Sequence, residues 1–392
     1  MKAVTETEKS VKYLSFSNRS FGEYPNLITT FLSVKLASLR AQFLENEIPP
    51  SDYYSIEKVI RNFIHSPPSH LEEIFPVDVF AGGGSIALHM NLSEFISEST
   101  QLPLSVINRS QSTADVSHTA FRITLFKEFK ALHRSLAPLI QTLGQQAREW
   151  DSILTLSRTC LQDALPVSLG KSWSAHAAAL QRRHQDLDQK SLQLLKINLG
   201  GTVIGSGEGA SPAYRDRVIS ELIAETDLPL SRKENLYDAA QNSDDLAQIH
   251  SSLGLLTQVL MKFARDLRLL SSGPQGGFGE LRLPKVQQGS AFFTHKINPV
   301  LPETLIQCGC RILGSEQTIQ LALAHSELNL NVFEGLIAIT LLDSVQSLSQ
   351  IIKKFHEHCI RGIEPQRARC EELSEKANSI QSNLPLNPNS SG

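Results

Sequence analysis

Gly289-Ser290-Ala291-Phe292-Phe293-Thr294-His295-Lys296-Ile297-Asn298-Pro299 has neither a helical nor a strand period, yet it lies between segments that do. Gly273, Gly276, Gly277 and Gly279 loosen the chain ahead of it, and a helical pattern opens at Pro299. A Gly/Ser-led loop that carries a Lys and an Asn between long apolar-periodic segments suits a mobile flap over a polar pocket.

Working outward, the flanking segments read as long packed helices. Leu125, Phe129, Leu132, Leu136, Leu139 and Leu143 alternate spacings of four and three, the seam of one helix, with Pro138 placed to bend it. The same seam returns at Leu253, Leu256, Leu260, Phe263, Leu267 and Leu270, and again at Leu341, Val345, Leu348, Ile352, Phe355 and Cys359. Pro299 to Leu323 and Leu180 to Leu195 are further helical candidates. Toward the N-terminus, Ile28 to Phe43, Tyr53 to Ile64 and Met90 to Glu98 read as shorter helices, broken by Pro49-Pro50 and Pro67-Pro68. Strand-like alternation is confined to the neighbourhood of Leu281-Arg282-Leu283. The expected fold class is all-α, a bundle of long helices. Seams of this length more often pack against neighbours, other subunits included, than build a cofactor box, so a homo-oligomer is expected. Three parts are expected: residues 1–118 as an N-terminal helical domain, 119–363 as the central bundle, and 364–392 as a residual segment whose tail, from Ser379, is disordered.

Composition narrows the function classes. A net charge of −3 over 392 residues gives no electrostatic reason to expect nucleic acid or an anionic membrane as partner. No uninterrupted apolar run approaches the roughly 20 residues of a spanning helix, and Met1 to Ser10 has no apolar signal core. Five cysteines without a paired framework fit a reducing cytoplasm.

Four segments can carry chemistry. They are Ala81 to Glu94, with Gly82-Gly83-Gly84-Ser85 and His89-Met90-Asn91; Asn108 to Asp115; Ser157 to Pro166; and the opening loop. Each reads as loop-like or helix-end and is rich in small hydroxyl or amide side chains beside a helix start. Hydroxyl donors, free backbone N–H groups and the positive end of a helix together hold a carboxylate. Taken singly, each is as well read as a helix cap or turn. No phosphate loop, Ser-His-Asp order or zinc-type spacing is present.

In order and spacing, the four segments resemble the aspartase/fumarase superfamily. The opening loop is similar to its Gly-Ser-Ser-x-x-Pro-x-Lys-x-Asn-Pro. Ser110-Gln111-Ser112-Thr113-Ala114-Asp115 resembles Ser-Gln-Ser-Thr/Ser-Asn-Asp, and Arg158-Thr159-Cys160-Leu161-Gln162-Asp163-Ala164 resembles Arg-Thr-Gln/His-x-Gln-Asp-Ala. Leu199 to Gly205 and Asn329-Leu330-Asn331-Val332-Phe333 agree as well, and the aspartase branch is nearer than fumarase. The resemblance implies a homotetramer whose active sites each draw on three subunits, with the family's small C-terminal domain missing here. It implies reversible anti elimination from a succinyl-type substrate without a cofactor or metal. Lys296 and Asn298 match the carboxylate-binding pair; Ser112, Thr113, Thr159 and His89 stand at substrate-contact positions. Glu303 matches the acid that orients a histidine in fumarase-type members. Ala291 stands where the family's loop serine, its base, is usual, and Cys160 replaces a Gln or His. Ala114 replaces an Asn, and Ile86 stands near a Thr. His118 and His295 add titratable groups where the family has Pro and Gly, so His295 is a candidate replacement base. The expected function is a divergent lyase acting on a small carboxylate; the alternative is a non-catalytic partner of an intact lyase.

Overall fold

A computed structural model describes residues 4–83 and 85–382. Among these, helices dominate and the strands are short. In chain order the helices begin with α1 (Glu6–Leu14), α2 (Pro25–Leu44), α3 (Pro50–His65), α4 (Leu71–Ile74), α5 (Ile86–Thr100), α6 (Leu104–Ile107) and α7 (Thr113–Glu149). Strands β1 (Leu154–Thr159) and β2 (Gln162–Ser168) follow, then α8 (Leu169–Ser191), β3 (Lys196–Ile197), α9 (Pro212–Thr226), β4 (Ser231–Arg232) and α10 (Leu236–Gln241). The remainder is α11 (Asp244–Leu270), β5 (Leu281–Arg282), α12 (Val300–Ala324), α13 (Glu334–His358), β6 (Glu364–Pro365) and α14 (Arg367–Ser382). The fold is all-α, a bundle of long helices. The seams lie on single helices, α7, α11 and α13, except that Cys359 falls just past the end of α13, and the α7 seam is buried at all six of its positions. Pro138 lies inside α7, which continues past it. At about 1.5 Å per residue, α7 runs roughly 55 Å.

The chain divides into two compact units interleaved along the sequence: residues 1–129, 189–251 and 315–343 form the first, and 130–188, 252–314 and 344–392 the second. That division follows compactness, whereas the expected cuts at 118 and 363 follow the extent of the long helices. In the first unit α2 is the core helix. Pro25 at its first position presets the helical φ, and 13 of its residues are buried, because it is apolar on nearly every side and is surrounded by neighbours. It packs against α3 and α9. Two of its buried polar side chains are tied inside the unit: the Tyr214 hydroxyl donates to Ser38 Oγ at 3.1 Å, and the Gln42 amide nitrogen donates to the Arg109 carbonyl at 2.8 Å. Two stretches, Pro25–Leu44 and Glu334–Gly362, are long and apolar enough to cross a membrane by length and composition alone. Burial of 72% of the first one's most apolar window accounts for its character as a core helix.

In the second unit, Trp173 is buried and donates to Gln146, whose own amide donates to the Ile360 carbonyl, so these buried polar atoms are paired. The segment Ser157 to Pro166, expected as a loop or helix end, is instead part of an antiparallel hairpin of β1 and β2. Thr159 pairs with Gln162 across a two-residue turn in which Cys160 and Leu161 both have positive φ, 54° and 61°. That is the type I′ geometry matching strand twist. Its sequence hides it, because Cys-Leu replaces the Asn-Gly that usually announces such a turn. Helix α14 packs on this hairpin through Leu373 and Ala377 against Leu156. The strand expected near Leu281 is present as β5, paired with β6. Helix α14 reaches Ser382, past the expected start of the tail at Ser379; residues 383–392, and Gly84 of the glycine turn, lie outside the described residues.

Candidate active site

In the first unit the site grows from the N-terminus of α7. Asp115 sits in its first turn and accepts the Ser112 backbone N–H at 2.9 Å, while Ser112 Oγ accepts the Ala114 N–H at 3.2 Å. This reciprocal arrangement answers helix-start donors that otherwise have no intrahelical partner. The other Asp115 oxygen accepts the N–H groups of Gly200 and Thr202 at 3.0 and 3.1 Å. Gly200 and Thr202 take positive φ, which turns both N–H groups inward. The carboxylate thus ties the loop matched at Leu199 to Gly205 onto the helix start. Burial pushes the Asp115 carboxyl up to about 6, with its backbone donors opposing.

Ser112, Thr113 and Ala114 are half-buried on this fixed frame. His89, on α5, is 3% exposed, and its Nδ1 lies 2.8 Å from Thr113 Oγ1. Its Nε2 lies 2.9 Å from the Lys35 ammonium nitrogen on α2. Burial and Lys35 hold His89 well below the ordinary histidine range, so the ring is neutral. Lys35 is itself 2% exposed, and burial lowers it to about 7 against the pull of Asp115. Sequence reading passed over Lys35, since a single lysine in a helix normally marks a solvated face. The one available signal was its position inside a helix apolar all round.

His118 lies one turn further along α7 and is fully engaged. Arg122 Nε donates to its Nε2 at 2.6 Å, which leaves the proton on Nδ1, 2.9 Å from Glu334. Arg122 also grips Asp245 with both terminal nitrogens, at 2.6 and 2.9 Å, and Lys233 reaches the same carboxylate at 3.2 Å. Burial and Arg122 push His118 down to about 4. With its acceptor nitrogen occupied, His118 has no lone pair for a substrate proton. Ala114 presents a methyl to a small cavity shared with Ser85, Ser117, Asn331 and Glu334.

The second unit carries two further sets. Thr159 and Cys160 stand exposed at the hairpin tip, and Arg158, just before them, is anchored to the buried Glu280 and lies over the Phe278 ring. The loop from Gly289 to Pro299 is closed at its base: the Gly289 N–H donates to the Lys296 carbonyl at 3.0 Å, and Asn298 Nδ2 donates to the Gly289 carbonyl at 2.8 Å. A side chain at 289 would collide with the Lys296 carbonyl, which is why glycine opens the loop. Ser290 Oγ accepts the N–H groups of Phe292 and Phe293, folding the tip into a tight turn. Ala291, His295 and Lys296 are exposed on this loop, with Phe292 84% and Phe293 60% exposed beside them. Lys296 makes no ion pair among the described residues, whereas Glu303, in the first turn of α12, lies 3.5 Å from Arg268. Of the expected site residues, the first unit therefore brings together Ser112, Thr113 and His89. The second carries Thr159 with Cys160, and Ala291, His295, Lys296 and Asn298 with Glu303 further on.

A profile of the family described as Lyase matches residues 13–314. The chain is 33% identical over 384 residues to an aspartate ammonia-lyase of Pseudomonas aeruginosa, covering 94% of this chain and 80% of that one. The chain belongs to the aspartase/fumarase superfamily of lyases. A class II fumarate hydratase of Ralstonia nicotianae is 33% identical over 317 residues, 77% of this chain and 69% of the relative. A Brucella melitensis fumarate lyase:delta crystallin structure superposes with a TM-score of 0.92 at 32% identity, covering 97% of this chain and 86% of that one.

Proposed function

We propose that this superfamily member is a divergent lyase catalysing reversible anti elimination, of a C–N bond in preference to C–O, from a succinyl-type or N-substituted aspartate substrate. The observation that carries the reading is the pair of hydroxyls, Ser112 and Thr113, held at the positive end of α7 on a frame fixed by Asp115. Helix-terminal N–H groups and hydroxyls bind a carboxylate there. Lys296, without an ion pair among the described residues, and Asn298 supply charge and an amide for the second carboxylate. In the elimination, a base takes the proton alpha to one carboxylate and the electron pair moves onto that carboxylate as an enediolate. The pair then returns to form the C=C bond as the amine leaves with the C–N electrons. Thr159 and Cys160 contribute from the hairpin tip, and Glu303 from α12. The reading needs no cofactor or metal. It places the protein in the cytoplasm as a homotetramer in which each site takes segments from three chains.

Ala291 offers no proton acceptor, so His295 on the same exposed loop is the base in this reading. Ultraviolet absorbance following fumarate release from aspartate, malate and N-substituted aspartates tests it. With His295 as the base, Ala291→Ser is expected to leave turnover unchanged; a rise of about 10²-fold or more, the scale of a restored general base, returns that role to position 291. His295→Ala in the native background should remove what remains. The methyl groups at Ala291 and Ala114 favour the second reading, a non-catalytic homologue that assembles with an intact lyase. Failure of both the native chain and Ala291→Ser to release fumarate from any of these substrates decides for it.

A further inference from the structure

We propose that Lys35 and His89 form a buried relay that fixes the hydroxyl of Thr113 as a hydrogen-bond donor toward a carboxylate, making both residues positioning residues. This rests on the reading of Thr113 as a substrate contact. Lys35 Nζ faces two oxygen acceptors, Asn108 Oδ1 at 2.7 Å and Gln111 Oε1 at 3.5 Å, and a ring nitrogen whose role depends on the tautomer, His89 Nε2 at 2.9 Å. An ammonium has three protons to donate and no lone pair, so this set matches it in number and, with Nε2 accepting, in kind. The Gln111 amide is oriented independently, because its nitrogen donates to the Ile107 carbonyl at 3.0 Å.

If Lys35 donates to Nε2, the proton of the neutral ring must sit on Nδ1. Nδ1–H then donates to Thr113 Oγ1, 2.8 Å away. A hydroxyl that accepts at its oxygen keeps its own proton free to donate, and Thr113 makes no other side-chain hydrogen bond among the described residues. The opposite tautomer reverses every arrow. His89 would donate to a neutral Lys35 amine, Thr113 would donate into the ring, and its proton would be lost to a ligand. His89 thus serves a substrate without touching it, which its burial forbids. The charged and titratable groups that bear on Lys35 are His89 on α5 and Asp115 on α7.

The test has two arms, both on the full chain. In the first, ring-¹⁵N histidine labelling reads the His89 tautomer at pH 6, below the value of about 7 to which burial lowers Lys35, with the His89→Gln variant identifying the signal. The Nδ1-protonated form is expected, and the Nε2-protonated form overturns the relay whatever the substrate is. In the second, calorimetry measures succinate affinity. Lys35→Met is expected to weaken it about tenfold, the scale of one hydrogen bond to a charged group, whereas Lys35→Gln, which keeps a donor, stays within about threefold. Equal loss in both variants reduces the lysine to packing and overturns the relay. Nδ1-protonated His89 with a Thr113→Val variant that binds succinate as tightly as the native chain keeps the relay and sinks the substrate reading of Thr113.

Discussion

His118 illustrates how a residue's partners decide what it can do. On sequence alone it is a titratable group that has entered a segment expected to converge on the substrate. In the fold its acceptor nitrogen takes the Arg122 proton and its donor nitrogen serves Glu334. Its consequence is for stability. Burial lowers its folded value to about 4 from an ordinary 6.5, so between those values the unfolded chain holds a proton that the folded chain does not. Stability is therefore complete above about 6.5 and falls as pH drops toward 4, by roughly 3 kcal/mol from this residue. Urea denaturation at pH 7 and pH 4.5 should show that loss, and His118→Gln should flatten the slope between the two. Lys35 is the counterexample in legibility: the fold turns a lysine that reads as surface into a fully enclosed one, and no local spacing announces it.

At the scale of elements, the longest helices were readable because apolar residues at three- and four-residue spacing leave little choice of face: α7, α11 and α13 carry the three seams, and α2, α3 and α12 cover further segments expected as helical. The hairpin was not readable. Leu154 to Thr159 ends in Arg-Thr rather than in β-branched alternation, and the turn places two residues with side chains, Cys160 and Leu161, in the left-handed region. Only glycine and a few small polar residues adopt that conformation freely. Replacing exposed Leu161 by Gly is expected to stabilise the second unit by about 1 kcal/mol, read as a raised midpoint in thermal denaturation. The candidate site divides the same way. The lysine-bearing loop was legible from its residues, whereas the dual engagement of Asp115 appears only once the loop at Gly200 has been folded onto α7.

For the whole molecule, the two units carry different portions of the candidate site, and the tetramer proposed above gathers such portions from neighbouring chains. Light scattering at micromolar concentration should return four times the 43.3 kDa chain mass; a monomeric mass would rule out sites shared between subunits. The grip of Asp115 on α7 bears on how such a protein diverges. One carboxylate oxygen is committed to the helix start and the other to the neighbouring loop, and neither depends on the side chain at position 114 or on the identity of the hydroxyls beside it. Scaffold and reagent are thereby uncoupled. The groups that meet a ligand can be exchanged one at a time, as Ala114 stands in for a donor, while the backbone that presents them keeps its shape.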